Sequence, residues 1–391
     1  MPHSRKRHLI SILLKEKALW PVIGVVGARQ IGKSTLLRDQ FSSLIKAKYF
    51  TLDKAEVRTR ILKSIAYFLS LETEQQRIPI IIDEAQKIPD LFDEIKALVD
   101  ERRRPGRFYL TGSTEFSKKT GIRESLTGRI RVNHLFPLTL SEVNERKLTI
   151  PWVTFKPSHF SSPHEVDRYL ARGGMPGICF LRDEKERHSA YESWVETTCF
   201  RDLQQFGDLK LDGELAKDIL FALVKVGTPT LSNVSKELRL DPRKLAKYFD
   251  ALQTLFVLHK IDPHPLGIGK PHYILFDCGL AESLGASLAY RLRIWSLNEC
   301  LAQYEYSGTT RPRIYYYESA KHSFIDLIIN NRKTERAVLI RDDAKVDAYT
   351  LRTVESFLKK SPKAETFLLS PVMEGAKIAD RVTLLPWVGM G

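Results

Sequence analysis

One short stretch near the amino terminus constrains this chain more than any other feature of its sequence. Residues 22–37 combine an apolar run ending at Gly27, the loop pattern G-x-x-x-x-G-K-S, and an apolar-periodic segment. A strand, a glycine-rich loop and a helix in that order predict a loop that binds phosphate groups. Its glycines let the backbone N–H groups point at phosphate oxygens, and the helix start adds a positive dipole end. The alternative is a glycine turn with a chance lysine, which the flanking strand and helix disfavour.

Each position of this loop has an expected role in holding a nucleotide and its metal ion. Lys33 is expected to reach the β- and γ-phosphates, and the hydroxyl of Ser34 to bind Mg²⁺. The predicted nucleotide-binding residues are Gly27, Ala28, Arg29, Gln30, Ile31, Gly32, Lys33, Ser34 and Thr35.

A second apolar run, residues 78–82, ends in the adjacent carboxylates Asp83 and Glu84. This pattern predicts a buried parallel strand that delivers both side chains at its carboxyl end. We expect Asp83 to hold Mg²⁺, directly or through water, and Glu84 to polarise the attacking water. Two adjacent carboxylates can divide this work because successive strand residues face opposite sides. Such a pair is common by itself, but downstream of a phosphate loop it is a strong signal.

Two further polar residues follow in the same part of the chain. Ser113 ends a predicted strand at residues 107–113, where it is expected to reach the γ-phosphate or orient water; the alternative is a hydroxyl-rich turn. Arg129 is expected to complete the site of a neighbouring subunit by neutralising charge in the transition state. The alternative for Arg129 is an ordinary surface arginine. Residues 135–138 are predicted to continue the sheet.

Composition narrows the cellular setting and the partners. No apolar run reaches the roughly 18 residues that a membrane span needs, and we expect no signal peptide. Four widely spaced cysteines are typical of reduced thiols in a cytoplasmic protein and have no metal-site spacing. The net charge of +14 favours a polyanionic partner such as nucleic acid, an acidic protein or a membrane surface. Solubility alone is the alternative explanation.

Residues 214–263 read as three helices followed by a strand, the order of a winged helix. The third predicted helix has Asp241 as its cap, begins at Pro242, and carries Arg243, Lys244 and Lys247 on its outer face. This arrangement suits a helix that reads DNA in the major groove, so these three residues are predicted to bind DNA. The alternative is a structural or protein-binding winged helix with a solvated charged face.

Seven motifs, in this order, resemble the AAA-type ATPases of bacteria and archaea that carry a carboxy-terminal domain of unknown function (AAA_14 with DUF4143). The resemblance implies ATP hydrolysis, hence ATP as a cofactor, and it supports Arg129 as a finger acting across a subunit interface. The motifs are residues 27–34, 82–86, 110–113, 124–129, 173–176, 201–203 and 276–280.

The tail of that family resembles a restriction-endonuclease-like fold. Its nuclease pattern requires a helix glutamate, a strand aspartate, and E-x-K on the next strand, because carboxylates bind Mg²⁺ and the lysine assists the attacking water. Glu299 and Asp326 fit the first two positions. The third strand instead reads L-I-R-D at residues 339–342, and the sequence D-A-K at residues 343–345 is out of register. We therefore expect a degenerate domain without nuclease activity.

The sequence thus predicts an α/β protein: a P-loop NTPase (AAA-like) domain with a parallel sheet, a winged helix and a degenerate restriction-endonuclease-like α/β domain. The expected activity is a Mg²⁺-dependent ATPase that binds or remodels DNA as a homo-oligomer, which could be a ring, without a membrane partner. The alternatives are a nucleotide-switched signalling or defence scaffold that binds protein and, third, a Mg²⁺-dependent nuclease. The expected segments are an ATPase core (1–145), a helical linker or lid (146–210), a winged helix (211–285) and a nuclease-like domain (286–391).

Overall fold

The chain folds into two compact units, each with its own β-sheet. The amino-terminal unit consists of residues 5–136 and 254–256, and the carboxy-terminal unit of residues 137–253 and 257–391. The computed structural model describes residues 5–74, 78–114, 126–158, 161–321, 323–332 and 334–391.

A five-stranded parallel sheet is the centre of the amino-terminal unit. Its strands are β1 Val22–Val26, β2 Lys48–Thr51, β3 Ile80–Asp83, β4 Phe108–Gly112 and β5 Ile130–His134. They lie in the order β2-β3-β4-β1-β5, and all neighbours are parallel. Every residue of β1, β3 and β4 is buried, as expected for strands covered on both faces. The predicted parallel-sheet domain is therefore confirmed.

Helices connect these strands. One continuous helical segment follows the phosphate loop and contains a π-helical stretch between two short α-helical ones. The helices are Ile10–Glu16, Lys33–Thr35, Leu36–Phe41 (π), Ser42–Ile45, Ala55–Lys63, Ile65–Glu74, Ala85–Lys87 (3₁₀) and Asp90–Glu101.

The strand predicted at residues 135–138 is wrong. The fifth strand of the sheet is Ile130–His134, and residues 135–139 follow it as irregular chain. The continuous apolar run was misleading because it contains Pro137, which has no N–H to donate to a ladder. The true strand alternates polar and apolar residues, since it lies at the edge of the sheet and is only partly covered.

An eight-stranded mixed sheet forms the centre of the carboxy-terminal unit. Its strands are β6 Leu258–Pro263, β7 His272–Leu275, β8 Arg313–Glu318, β9 Phe324–Asn331, β10 Thr334–Ile340, β11 Glu365–Ser370, β12 Ala376–Ala379 and β13 Val382–Pro386. They lie in the order β12-β13-β11-β10-β9-β8-β6-β7. β8, β9 and β10 form an antiparallel meander, and β11 runs parallel to β10.

The helices of the carboxy-terminal unit precede the large sheet in the chain and connect its strands. They are Leu140–Val143, Pro151–Thr154, Pro163–Arg172, Glu184–Glu196, Thr197–Asp202 (π), Leu203–Leu209 (3₁₀), Gly213–Lys225, Leu231–Leu238, Pro242–Thr254, Cys278–Ser283, Leu288–Ser307, Ala348–Lys360 and Trp387–Gly389 (3₁₀). In the parts of the chain that the structure describes, no helix is both long and apolar enough to cross a bilayer.

The hairpin β6–β7 connects the helical region to the large sheet. The two strands are antiparallel, and a bridge between Thr230 and His272 adds a third short pairing on the outer side. At its other edge β6 runs parallel to β8, with Asp262 opposite Tyr315. The hairpin is therefore built into the same sheet as β8 to β13.

Candidate nucleotide-binding site

The strand order brings three loops of the amino-terminal unit together. β4 lies between β1 and β3, so the loops that leave these three strands are neighbours. Because the strands are parallel, their carboxyl ends meet at one edge, which is where open α/β sheets bind ligands. Gly27, Asp83 and Ser113 each lie at or directly after the end of one of these strands.

The loop after β1 has the backbone conformation that its glycines permit. Gly27 has a φ of 152° and Gly32 a φ of 94°, both in the region that disfavours residues with a side chain. A Cβ atom on Gly27 would lie 2.4 Å from the carbonyl oxygen of Leu135 and 2.5 Å from Cδ1 of Ile31. The close approach of neighbouring backbone therefore explains the first glycine of the motif.

Lys33 lies at the start of the helical segment and points back into the loop. Its Nζ donates hydrogen bonds to the carbonyl oxygens of Gly27 at 3.0 Å and Ala28 at 2.7 Å, and the residue is 5% exposed. A positive charge thus lies inside the curl of the loop. This position is suited to the point-charge role of a phosphate-loop lysine.

Asp83 accepts hydrogen bonds from hydroxyl groups on three different elements and is 2% exposed. Ser34 Oγ donates to Oδ1 at 3.0 Å, and Thr111 Oγ1 donates to the same oxygen. Tyr49 OH donates to Oδ2 at 2.7 Å. Burial, together with this bond to Asp83, raises the pKa of Tyr49 far above its ordinary value, so the phenol remains a proton donor.

The Ser34–Asp83 pair fits a magnesium ion. The serine hydroxyl donates its proton to the carboxylate, so its oxygen lone pairs remain available to a cation. Oxygen donors from a hydroxyl and one carboxylate match the preference of Mg²⁺, which keeps several water ligands beside few protein ligands.

Glu84 stands at a turn between β3 and the next helix. It has a φ of 58°, and its N–H donates to Thr111 Oγ1 at 3.0 Å. Its Oε2 accepts hydrogen bonds from Gln86 Nε2 at 2.5 Å and from Ser113 Oγ at 3.1 Å. The side chains of Glu84 and Ser113 are therefore in direct contact, with Gln86 as a partner of both.

Arg129 lies at the amino-terminal end of the strands, whereas these residues lie at the carboxyl end. It directly precedes Ile130, which is paired with Val22 at the start of β1, whereas the phosphate loop follows the end of β1. Its guanidinium makes two hydrogen bonds to Asp100, at 2.6 and 2.8 Å, and one to the carbonyl of Thr127. Residues 124 and 125 of the same motif lie outside the described residues.

Three residues outside the predicted site contact it. Tyr49 and Thr111 hold Asp83, and the buried Arg7 donates to the carbonyl oxygens of Ile31 at 2.8 Å and Phe136 at 2.6 Å. Tyr49 lies on β2 and Thr111 on β4, the two strands beside β3, so a hydroxyl on each of these segments was the available signal. Arg7 gave no signal, because it lies in a basic stretch that reads as surface.

The basic residues predicted to bind DNA belong to the carboxy-terminal unit. Arg243, Lys244 and Lys247 are exposed on the helix Pro242–Thr254, while Leu245 and Phe249 on the same helix are fully buried. The predicted inner and outer faces of this helix therefore match the observed burial.

The two carboxylates of the nuclease pattern are buried and accept hydrogen bonds from the backbone. Glu299 accepts the N–H of Leu140 at 2.6 Å. Asp326 accepts the N–H of Ile340 at 2.8 Å and forms an ion pair with Arg293 at 3.2 Å. The D-A-K sequence at residues 343–345 is exposed and lies beyond the end of β10.

Two segments of the chain match known family models. Residues 20–144 match an AAA domain (AAA_14), and residues 163–291 match a domain of unknown function, DUF8612. The AAA match and the loop geometry both support a P-loop NTPase fold for the amino-terminal unit. For the second segment the resemblance predicts DUF4143, whereas the model that matches is DUF8612.

Known proteins add little about function. The chain is 27% identical over 271 residues to two uncharacterized proteins, Rv2008c of Mycobacterium tuberculosis and Mb2031c of Mycobacterium bovis. This alignment covers 68% of the chain and 56% of each relative, so the chain spans about half the length of the curated relatives it matches. Among solved structures, a DNA replication initiation factor has a TM-score of 0.27 at 13% identity, covering 63% of this chain and 91% of that one. C. elegans PCH-2 has a TM-score of 0.27 at 12% identity, covering 62% of this chain and 67% of that one.

Proposed function

We propose that this chain is a Mg²⁺-dependent ATPase whose activity is coupled to DNA. The observation that carries the ATPase proposal is the meeting of Lys33, the Ser34–Asp83 pair and the Glu84–Ser113 pair at one edge of a parallel sheet. A charge for phosphates, oxygen ligands for a metal and a carboxylate for water are the parts that phosphoryl transfer to water requires.

Each residue has a defined task in this proposal. Lys33 exchanges the carbonyl oxygens of the loop for phosphate oxygens, and Ser34 and Asp83 hold the metal. When bound, Mg²⁺ neutralises charge on the β- and γ-phosphate oxygens. Glu84 orients the attacking water in line with the γ-phosphate, and Ser113 is close enough to sense that phosphate.

Arg129 is proposed to act on the site of a neighbouring subunit in a homo-oligomer. Arg129 directly precedes the partner of Val22, and the phosphate loop of its own chain begins directly after Val26, so six residue steps, or about 20 Å, separate them along the strands. Its side chain is 28% exposed beside Asp100, so a partner can reach it. A finger of this kind stabilises transition-state charge and accounts for large rate effects in related chemistry.

DNA is the proposed partner of the carboxy-terminal unit. The element order of helix, short bridge, two helices and hairpin supports a winged helix, and the N–H of Tyr273 donates to the carbonyl of Pro229 at 2.8 Å within it. Arg243, Lys244 and Lys247 are exposed together on the third helix, where they can contact phosphates. The excess positive charge of the whole chain supports the same partner.

A nucleotide-switched scaffold that binds protein is the second candidate. The hydrogen bonds of Gln86 and Ser113 to the Glu84 carboxylate favour it, because a carboxylate held by two donors is less available to a water molecule. Such a protein would bind nucleotide tightly, hydrolyse it slowly and show no response to DNA.

We infer that the nuclease-like region has lost cleavage chemistry. The guanidinium of Arg293, paired with Asp326, compensates the negative charge that would attract a metal ion to this carboxylate. Among the described residues, the His, Cys, Asp and Glu side chains close enough to share a metal are Glu184, His188 and Glu282, which do not include the nuclease pair. The meander β8–β9–β10 followed by a helix and the parallel strand β11 supports a nuclease-like fold without its chemistry.

The decisive experiment is an ATPase assay of the full chain without DNA and with duplex, single-stranded and branched DNA. Stimulation by DNA supports the first proposal, and slow turnover that ignores DNA supports the scaffold. Lys33→Ala should weaken nucleotide binding because it removes the positive charge that contacts the phosphates. If Lys33→Ala binds and hydrolyses ATP like the parent chain, the ATPase site has been assigned to the wrong loop.

A further inference from the structure

The carboxylate of Asp83 is held at both of its oxygens. Oδ1 accepts from Ser34 on the phosphate-loop helix and from Thr111 on β4, and Oδ2 accepts from Tyr49 on β2 at 2.7 Å. The three donors come from elements that are distant in sequence, so the tertiary fold has built this arrangement. Two of the donors, Tyr49 and Thr111, have no role in the ATPase proposal so far.

We propose that Tyr49 is a positioning residue for the metal site, whose hydroxyl orients the Asp83 carboxylate toward Mg²⁺. This inference rests on the proposed ATPase function. It extends that function to a residue on β2 that would touch neither the nucleotide nor the metal.

The geometry of β2 explains why the phenol reaches this site. Successive strand residues face opposite sides of a sheet. Phe50 packs into the core, where its ring lies 5.0 Å from that of Phe68, so Tyr49 faces the other side. On that side the hydroxyl meets Asp83 next to Ser34.

A donor on Oδ2 matters because of how a carboxylate can move. The terminal torsion of an aspartate is broad, so hydrogen bonds to both oxygens are needed to fix the plane of the carboxylate. Ser34 and Thr111 hold one oxygen, and Tyr49 holds the other. Loss of a hydrogen bond that orients a metal ligand typically costs about 10- to 100-fold in metal affinity.

The test is Tyr49→Phe in the full chain, which removes one oxygen atom and keeps the ring. The probe is a fluorescent ADP with an N-methylanthraniloyl group, titrated in EDTA and then at increasing Mg²⁺. We expect the affinity in EDTA to match that of the parent, because Tyr49 acts through Asp83. The Mg²⁺ concentration at half-effect should rise about 10-fold. Electron paramagnetic resonance of free Mn²⁺ in the presence of ADP should show the same weakening without any turnover.

Tyr109→Phe is the matched control. Tyr109 is also a tyrosine of the amino-terminal sheet, and among the described residues its buried hydroxyl has no hydrogen-bond partner. Its replacement should leave the Mg²⁺ dependence unchanged, which separates a positioning role from a general effect of losing a tyrosine hydroxyl.

The possible outcomes separate the two proposals. If Tyr49→Phe binds nucleotide with the Mg²⁺ dependence of the parent, the inference is overturned and the ATPase proposal stands. If Tyr49→Phe weakens binding equally in EDTA, Tyr49 supports the nucleotide or the fold, and the inference is again overturned. If the parent chain itself binds no nucleotide with or without Mg²⁺, the proposed function fails and this inference fails with it.

Discussion

Replacing Glu299 by glutamine should change how the stability of the carboxy-terminal unit depends on pH. The side chain is 1% exposed and accepts hydrogen bonds from the N–H of Leu140 and the amide of Gln303. Burial raises its pKa from 4.5 to about 7, and the two hydrogen bonds offset only part of that effect. The nearby carboxylate of Glu142 contributes to this rise.

The direction of the effect follows from which state holds the proton. Between pH 4.5 and about 7, folded Glu299 keeps a proton that the unfolded chain has released. The stability from this group is therefore fully present below pH 4.5 and is lost as the pH rises through about 7. The difference between the two pKa values corresponds to roughly 3 kcal/mol of unfolding free energy.

Urea unfolding at about pH 5 and about pH 8, followed by tryptophan fluorescence, measures this loss. The signal reports mainly on the carboxy-terminal unit, which contains four of the five tryptophans: Trp152, Trp194, Trp295 and Trp387. Between these two pH values the parent chain should lose roughly 2 to 3 kcal/mol more than Glu299→Gln, because a small part of the effect is already lost at pH 5. His259 and His272, whose pKa values burial lowers to about 4 and about 3, act in the opposite direction. They cancel because both proteins contain them.

Glu355→Gln provides the control, because Glu355 is an exposed glutamate of the same unit. It should show the pH dependence of the parent chain. Equal pH dependence of the parent and Glu299→Gln would refute the reasoning. A parent that is stabilised relative to Glu299→Gln at high pH would mean that the fold favours the ionised form of Glu299, as a metal-binding site would.

Three further predictions test the proposed function. Glu84→Gln should keep nucleotide affinity but lower turnover in single-turnover assays by about 10²- to 10³-fold, because the amide cannot accept the proton of water. Near-normal turnover would mean that another residue activates the water. Mixing Arg129→Ala with Glu84→Gln subunits should restore part of the ATPase activity, because a mixed interface pairs an intact Arg129 with an intact Glu84. A specific activity that is independent of protein concentration, with only monomer in light scattering, would exclude a finger that acts between subunits. Replacing Arg243, Lys244 and Lys247 by alanine should flatten the salt dependence of DNA binding, whose log–log slope on duplex is about −0.9 per phosphate neutralised. Equal slopes for the parent and the triple variant in anisotropy titrations would show that this helix does not bind DNA.

The position of the candidate nucleotide site in the fold was largely predictable because its signals are local. The loop residues from Gly27 to Ser34 and the pair at Asp83 and Glu84 are contiguous in sequence, and each follows an apolar run that can only be a buried strand. The carboxyl ends of parallel strands lie side by side, so the sequence already predicts that the loop and the two carboxylates are close together. The contact between Ser113 and Glu84 agrees with that expectation.

Other features were not predictable, for identifiable physical reasons. The strand Ile130–His134 lies at a sheet edge, so its sequence is less apolar than the irregular residues that follow it. Arg7 has the sequence context of a surface residue but is 5% exposed, because two backbone carbonyl groups satisfy its guanidinium. Sequence alone does not show which carbonyl groups the fold leaves without a donor.

Glu299 and Asp326 illustrate the same limit in the carboxy-terminal unit. Their spacing fits a metal-binding pattern, yet one receives the N–H of Leu140 and the other lies beside Arg293. Whether a carboxylate binds a cation depends on which charges and donors the folded chain places within a few ångströms. That environment is assembled from distant residues, so a pattern match cannot supply it.

The sequence by itself determined the phosphate loop, the strand that carries Asp83 and Glu84, and the amphipathic helix with Arg243 on its outer face. Each depends on neighbouring residues, since backbone freedom, strand burial and helix periodicity are local properties. Only the tertiary structure decided that Tyr49 and Thr111 hold Asp83, and that Arg129 lies at the opposite end of the strands from the loop. Those facts depend on strand order and register, which are set by packing between segments that are far apart in the chain.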